Sequence, residues 1–405
     1  MTLQTPSLVA PGRFYWAAGW TSPALVTLSV SLGISLLGGL AVQMEHSFGF
    51  GPTFLGTLVA LYYLGWSIVS MAAGNAAQRF GDVALMALAV GLSVILLAWI
   101  AVSALDRTLL AILVFGCGVA ASTSQPAANS FLARRAHSAH VGLAFGVKQA
   151  VPTAAGLLGG LAVPTIAVTV GWRWAFASAA ILSVLVLVHV LLTGRGDRSS
   201  YAAPPTVLQG GRLLGLEGLL LAAGVGVGSM SSSAITTFLV SSAVADGLSE
   251  TWAGTLLAIA SLAALLTRVS AGALADRRRS NHLVQVSGLL ALGSIGCVVL
   301  YVASQDHVPQ LFLPGAIVAI GAGWGWVGIF YLAVIERFSG REARATSAMQ
   351  LASGVGTGVG PLVFGEVCAA TSYGAAWATV GAISAAGAVV MLLGARCPGS
   401  FATRS

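Results

Sequence analysis

Two positive residues stand inside stretches otherwise built of apolar side chains. Arg268 sits in LLTRVSAGALADRRRS, and Lys148 sits in VGLAFGVKQAVPTAAGLLGG. A charge within a membrane-spanning helix costs about 2.5–3.5 kcal/mol on insertion scales, so each of the two calls for a physical reason. No deep acid accompanies them. A guanidinium offers a planar fork that matches a carboxylate bidentately, while an ammonium acts as a point charge. The pair therefore points to recognition of a small anion, with snorkelling to nearby headgroups as the alternative. Glu217, one turn inside a third apolar run, is read as an ion-pair partner for Arg268, a proton site or an interfacial acid.

Other polar residues recur at helical spacing: Tyr63, Ser67 and Ser70; Ser122, Gln125 and Asn129; Thr346, Gln350, Ser353 and Thr357. Each set occupies one helix face, which predicts an aqueous path or hydrogen bonding between helices. Trp324 and Tyr331, seven residues apart, share a face and supply an apolar wall for an organic ligand, if they do more than pack. The expected contact residues are thus Arg268, Lys148, Gln125, Gln350, Tyr63, Trp324 and Tyr331.

These side chains need long helices to hold them. The chain has 405 residues, of which 57% are hydrophobic and 8% charged, with a mean hydropathy of +0.91. A soluble globular domain carries about 25% charged residues. Apolar runs of about 20 residues recur, enough to cross a hydrocarbon core of about 30 Å as helices. They lack period-2 alternation, which disfavours a barrel. Twelve spans follow: 22–43, 53–73, 83–104, 108–132, 141–165, 173–193, 214–240, 252–271, 283–303, 311–334, 345–367 and 374–395. The polar, Pro/Gly-rich segment 194–213 divides residues 1–193 from 214–405, six spans on each side.

Lys148 lies seven residues beyond Val141, about 10 Å into span 5. Arg268 lies about one turn inside span 8. Loops on the side of both termini hold fifteen arginines, including Arg79, Arg134, Arg195, Arg277 and Arg341, against Arg107 and Arg173 opposite. Such loops face the cytoplasm. The excess of basic residues is thereby explained by topology, and no nucleic-acid partner is expected. The four cysteines have no metal-ligand spacing, and no cofactor is expected. No cleavable signal segment is read in the first 21 residues.

The basic turn after span 8 has a weaker copy 198 positions earlier: Gly272, Ala275, Asp276 and Arg277 fall over Gly74, Ala77, Gln78 and Arg79. GxxxDR after span 8 and GxxxQR after span 2, within a six-plus-six pattern, resemble the major facilitator superfamily. That resemblance implies an all-α membrane protein of two pseudo-symmetric six-helix bundles working by alternating access. It also implies that spans 1, 4, 7 and 10 line a cavity, that 2, 5, 8 and 11 form the seam, and that the six motif residues gate one face. Two departures narrow the expectation. Ile112 stands near the position of an arginine found in proton-linked members, and Pro152 is displaced from the glycine-proline pattern of the antiporters. Arg268 resembles an arginine on span 8 of the superfamily's monocarboxylate carriers.

The reading is a secondary carrier of a small organic anion, monomeric in the lipid bilayer of a bacterial inner membrane, with both termini cytoplasmic. Efflux of drugs or other hydrophobic compounds is the transport alternative, and a non-transporting membrane sensor is the alternative of another class. No clustered carboxylates, nucleophile elbow or phosphate-binding loop points to an enzyme.

Overall fold

The computed structural model describes residues 13–103, 106–135, 141–194, 215–277, 281–338 and 341–397, and in these every regular element is helical. Among the described residues twelve helical spans are long and apolar enough to cross a membrane. The first half contains α1 (Arg13–Gly39), α2 (Ala41–Phe48), α3 (Pro52–Phe80), α4 (Asp82–Val102), α5 (Arg107–Arg135), α6 (Val141–Ala162), α7 (Val168–Val170) and α8 (Trp172–Thr193). The second half contains α9 (Gly215–Ala245), α10 (Glu250–Arg277), α11 (His282–Gln305), α12 (Phe312–Gly325), α13 (Val327–Arg337), α14 (Glu342–Ala370) and α15 (Tyr373–Arg396). A π-turn over Val163–Ala167, which contains Pro164, joins α6 to α7 within one span. Of the segment 194–213 only Gly194 is among the described residues.

The helices begin and end where local chemistry dictates. Pro52 occupies the first turn of α3, where its missing N–H is not needed. The Asn281 side chain accepts from Leu283 N at the start of α11, and Ser372 accepts from Ala375 N at the start of α15. Gly81 and Gly171, at φ values of 86° and 101°, turn the chain between spans that have almost no loop between them.

Two features depart from the sequence expectation. Span 1 ends at Gly39, and the residues beyond it form the separate short helix α2 ahead of Gly49, whose φ is 63°. Span 10 is broken at Trp326 into α12 and α13.

Within the first half α3 packs on α5, α4 on α8 and α1 on α6; within the second, α11 packs on α15 and α9 on α14. Between halves, α3 packs along α14 and α6 along α10, the seam of spans 2, 11, 5 and 8. The seam is tightest toward the end that carries Glu45, Asp246 and Glu250. There a Cβ on Gly365 would lie 2.5 Å from Pro52 O, one on Gly56 2.3 Å from Pro361 O, and one on Gly160 2.5 Å from Ala258 N. Small residues let these helix backbones touch, and the touching closes that end. At the opposite, arginine-bearing end, Gly74 has nothing within 4 Å of an added Cβ.

Candidate functional site

Between the halves lies a cavity of about 280 Å³, lined by α1, α3, α5, α6, α9, α10, α12, α13 and α14. The seam spans thus line it together with spans 1, 4, 7 and 10. Gln149 and Gln350 line it and are exposed although both lie inside spans, so they mark its mouth toward the arginine-bearing end.

Arg268 lines this cavity. Its Nε and Nη2 donate to the carbonyl of Trp324 at 3.3 and 3.0 Å, and Nη1 donates to the carbonyl of Gln149 at 2.5 Å. A local break frees the first acceptor. Trp324 lies in the last turn of α12, whose final carbonyls lose their helical partners at the Trp326 break. The second, the Gln149 carbonyl, lies one residue beyond Lys148, whose own carbonyl Pro152 leaves without a helical donor. The guanidinium therefore bridges the halves, from α10 to α6, through neutral carbonyls. It has five N–H donors and makes three such bonds, so five minus three leaves two, one on each terminal nitrogen. Among the described residues no carboxylate stands within ion-pair distance of it.

Lys148 departs from the expectation that it shares the cavity wall. It is 1% exposed and is not among the lining side chains. Its Nζ donates to Gln125 Oε1 at 2.6 Å and to Asn129 Oδ1 at 2.7 Å, again without an acid. Because an ammonium can only donate, the oxygen of the Gln125 amide must face it. What Gln125 turns to the cavity is then its NH₂. Gln350 is held alike, with the Tyr331 hydroxyl donating to its Oε1 at 2.9 Å. The donors at this level are thus Arg268 and two oriented amides.

Deeper in the cavity the polarity reverses. The hydroxyls of Thr236, Thr237 and Thr357 donate to carbonyls three or four residues back in their own helices, which leaves only lone pairs for a guest. Aromatic side chains line both halves: Tyr62, Tyr63 and Trp66 from α3, Trp324 and Tyr331 from α12 and α13. The expected contact residues Arg268, Gln125, Gln350, Tyr63, Trp324 and Tyr331 are thereby brought together, and Lys148 stands one layer behind them. Of the polar stripes, Gln125, Gln350, Ser353 and Thr357 line the cavity; Ser67 and Ser70 donate into their own helix.

Burying an ammonium without a counter-charge costs several kcal/mol; removing it relieves that cost and offsets the loss of its two hydrogen bonds, since the Gln125 amide lines the cavity and can be solvated there. The Lys148→Met protein is expected to match or exceed the thermal stability of the natural protein while its transport rate at limiting substrate falls about tenfold, as one oriented amide is worth about 1.5 kcal/mol. Parallel melting and flux measurements check this. A joint loss of stability and flux would make the lysine merely structural.

Glu217 does not reach Arg268. Its Oε1 lies 3.1 Å from Arg337 Nη1, at the arginine-bearing end. Arg337 also donates to the carbonyls of Gly394 and Ala395 at the end of α15. The gating residues Gly272, Asp276 and Arg277 occupy the last two turns of α10; the surroundings of Gly272 and the side chains of Asp276, Arg277 and Gln78 lie outside what is described. Close packing of the motif glycine does not hold at Gly74, and Arg79 is exposed with its guanidinium over the Phe80 ring at 5.4 Å. At this end the buried contact is one the sequence reading passed over: Asp82, 4% exposed, accepts from Arg134 and from Ser130. An acid in the first turn of α4, right after the Gly81 turn, is the signal that would have found it.

At the closed end three side-chain hydrogen bonds among the described residues cross between halves, one of them from Thr53 Oγ1 to the Gly365 carbonyl at 3.4 Å. Gln43 Nε2 donates to Glu250 Oε2 at 2.7 Å, and Ser241 Oγ donates to Glu45 Oε1 at 3.5 Å. Burial pushes the Glu45 carboxyl from 4.5 up to about 7, against the opposing effect of Ser241. Its other titratable neighbours are Tyr373 and Cys368. A raised carboxyl favours the folded, closed form fully below about pH 4.5, and that contribution is lost as pH rises through about 7. The melting temperature in detergent is therefore expected to fall between pH 5 and pH 8, and to fall less in Glu45→Gln. An identical slope in both proteins would remove Glu45 as the cause.

A bundle of twelve apolar spans, split into two packed sets around a central polar cavity with one end closed, is the build of a membrane carrier. The Major Facilitator Superfamily profile matches residues 24–343 and 221–401, and the chain belongs to that superfamily of transporters. It is an integral, multi-pass membrane protein. Among solved structures it is similar to a bacterial homologue of the human lysosomal transporter Spinster in an inward-facing, occupied conformation. That likeness has a TM-score of 0.72 at 16% identity and covers 95% of this chain and 96% of that one. It is also similar to the nucleoside transporter NupG, with a TM-score of 0.71 at 15% identity over 93% of this chain and 98% of that one. At such identities the likeness extends to the fold. No curated protein matches the sequence.

Proposed function

We propose that the protein is a secondary carrier of a small organic anion, held by its carboxylate at Arg268. The carrying observation is the state of that guanidinium: turned into the cavity, anchored by three hydrogen bonds to two neutral carbonyls, with two N–H groups unused and no acid beside it. Gln125 and Gln350 add amide donors, and Lys148 adds positive potential from behind Gln125. A guest that brings one negative charge completes this set; a cation meets repulsion with no compensating carboxylate.

Residues 1–193 and 214–405 are read as the two rocking bundles, joined by 194–213. The arginine bias supports a cytoplasmic side for the termini and the cavity mouth, with the closed end outside, and the membrane is read as a bacterial inner membrane. On that reading the chain is described facing inward, and it acts as a monomer without enzymatic activity. The aromatic lining supports a second reading, efflux of hydrophobic compounds, in which Arg268 only ties α10 to α6 and α12.

Flux into proteoliposomes separates the two. Saturable uptake of organic carboxylates with no effect of cationic drugs supports the anion carrier. Saturable drug flux with no carboxylate flux supports efflux.

A further inference from the structure

Three properties of the cavity constrain its guest beyond its being an anion. The first is charge. Of the two cations within the spans, only Arg268 lines the cavity, since the ammonium of Lys148 is enclosed between two amides. A dicarboxylate would bury a second negative charge against lone pairs of threonine hydroxyls, with no cation to receive it. The site is therefore built for one negative charge.

The second is size. A volume of about 280 Å³ lies just under the usual range of small-molecule sites, about 300–1,000 Å³. It suits one ring and a short substituent, and it leaves a two-carbon acid with most of the space unfilled.

The third is the wall. Five aromatic side chains line it, three from the first half and two from the second. Tyr62 and Tyr63 meet edge to face with ring centroids 5.1 Å apart. Trp66 lies against the seam, where a Cβ on Gly354 would be 3.2 Å from its ring. Trp324 contributes its carbonyl to Arg268, so its residue serves both the charged and the apolar part of the site. Aromatic pairs in contact gain about two- to tenfold in affinity beyond the area they bury. An aliphatic body of equal volume forgoes that gain.

Taking these together, and resting on the anion-carrier reading, we propose that the transported species is a single-ring aromatic monocarboxylate. Its carboxylate is held by Arg268, Gln125 and Gln350, and its ring lies among the aromatic side chains of α3, α12 and α13. Gln350 and Thr357 are two turns apart on α14, about 10 Å of helical rise, a span that one ring and its carboxylate fill.

The test is a binding panel on the purified natural protein, read by thermal stabilisation and by titration calorimetry, because a ligand of the folded state raises its apparent stability. The probes are benzoate, phenylacetate, cyclohexanecarboxylate, acetate and succinate, with a lipophilic cationic dye as the opposite class. Benzoate or phenylacetate is expected to bind at least tenfold more tightly than acetate and succinate, and severalfold more tightly than cyclohexanecarboxylate. Arg268→Gln is expected to lose that binding while its unliganded melting temperature identifies it as folded. Equal or tighter binding of acetate, succinate or the cyclohexane acid overturns the aromatic assignment and leaves the anion carrier standing. Binding of the dye with no carboxylate bound at all overturns both.

Discussion

Arg268→Gln is expected to reduce carboxylate flux at limiting concentration by about 100-fold or more. Truncating one side of a buried charge pair costs about 2–5 kcal/mol, and 2.7 kcal/mol corresponds to about 100-fold. Glutamine retains an N–H to donate toward the Trp324 carbonyl, so the broken end of α12 keeps a partner and the protein is expected to remain folded. Arg268→Lys separates charge from shape. An ammonium has three donors on one atom and cannot bridge Trp324, Gln149 and a carboxylate in the geometry of a planar fork. Its flux is expected to lie between the two, with the loss mainly in apparent affinity. Initial rates in proteoliposomes across a substrate series supply both quantities.

Gly118→Ala is expected to have the largest effect on stability. A Cβ at this position in α5 would lie 1.8 Å from Tyr62 O and 2.7 Å from Tyr62 C in α3. Both are backbone atoms, so no rotamer relieves the clash and the two helices must move apart. Overpacking typically costs about 1–3 kcal/mol, and backbone against backbone places this case at or above the top of that range. Tyr62 and its neighbour Tyr63 line the cavity, so separation also displaces the aromatic wall. A large fall in melting temperature together with lost flux is expected. Gly288→Ala is the control, since nothing lies within 4 Å of its added Cβ and alanine favours the helix. Equal behaviour of the two variants would refute the close approach of α3 and α5.

Much of the architecture was legible because bilayer solvation imposes a local rule: about 20 apolar residues in a row must form a helix. The expected spans agree with the described helices to within a few residues at most ends. Two breaks were missed for local reasons. Gly39 and Gly49 divide an apolar run into a span and the short helix α2, and a glycine-tryptophan run, GAGWGWVG, breaks span 10 at Trp326.

The site was legible in its residue types and not in its pairings. Periodicity could place Gln125 and Asn129 on one face of span 4, but only tertiary contact shows Lys148 spending its ammonium on them. Glu217 was read toward Arg268, yet Arg337 lies closer to it because both sit near the arginine-bearing ends of their spans. Glu45 was visible only as a loop acid. Its burial follows from α2 folding back on α9, a contact between residues almost 200 positions apart. The glycines that matter for packing, Gly118, Gly56 and Gly365, were not distinguishable by spacing from those with free space around them, such as Gly74.

The most direct measurement compares a carboxylate with its isosteric neutral amide, benzoate against benzamide, by calorimetric titration of the purified protein. Shape and ring are shared, so the difference in affinity reads the unfilled charge at Arg268. The account predicts that benzoate binds at least tenfold more tightly and that the difference disappears in Arg268→Gln. Equal binding of the two in the natural protein would contradict an anion site.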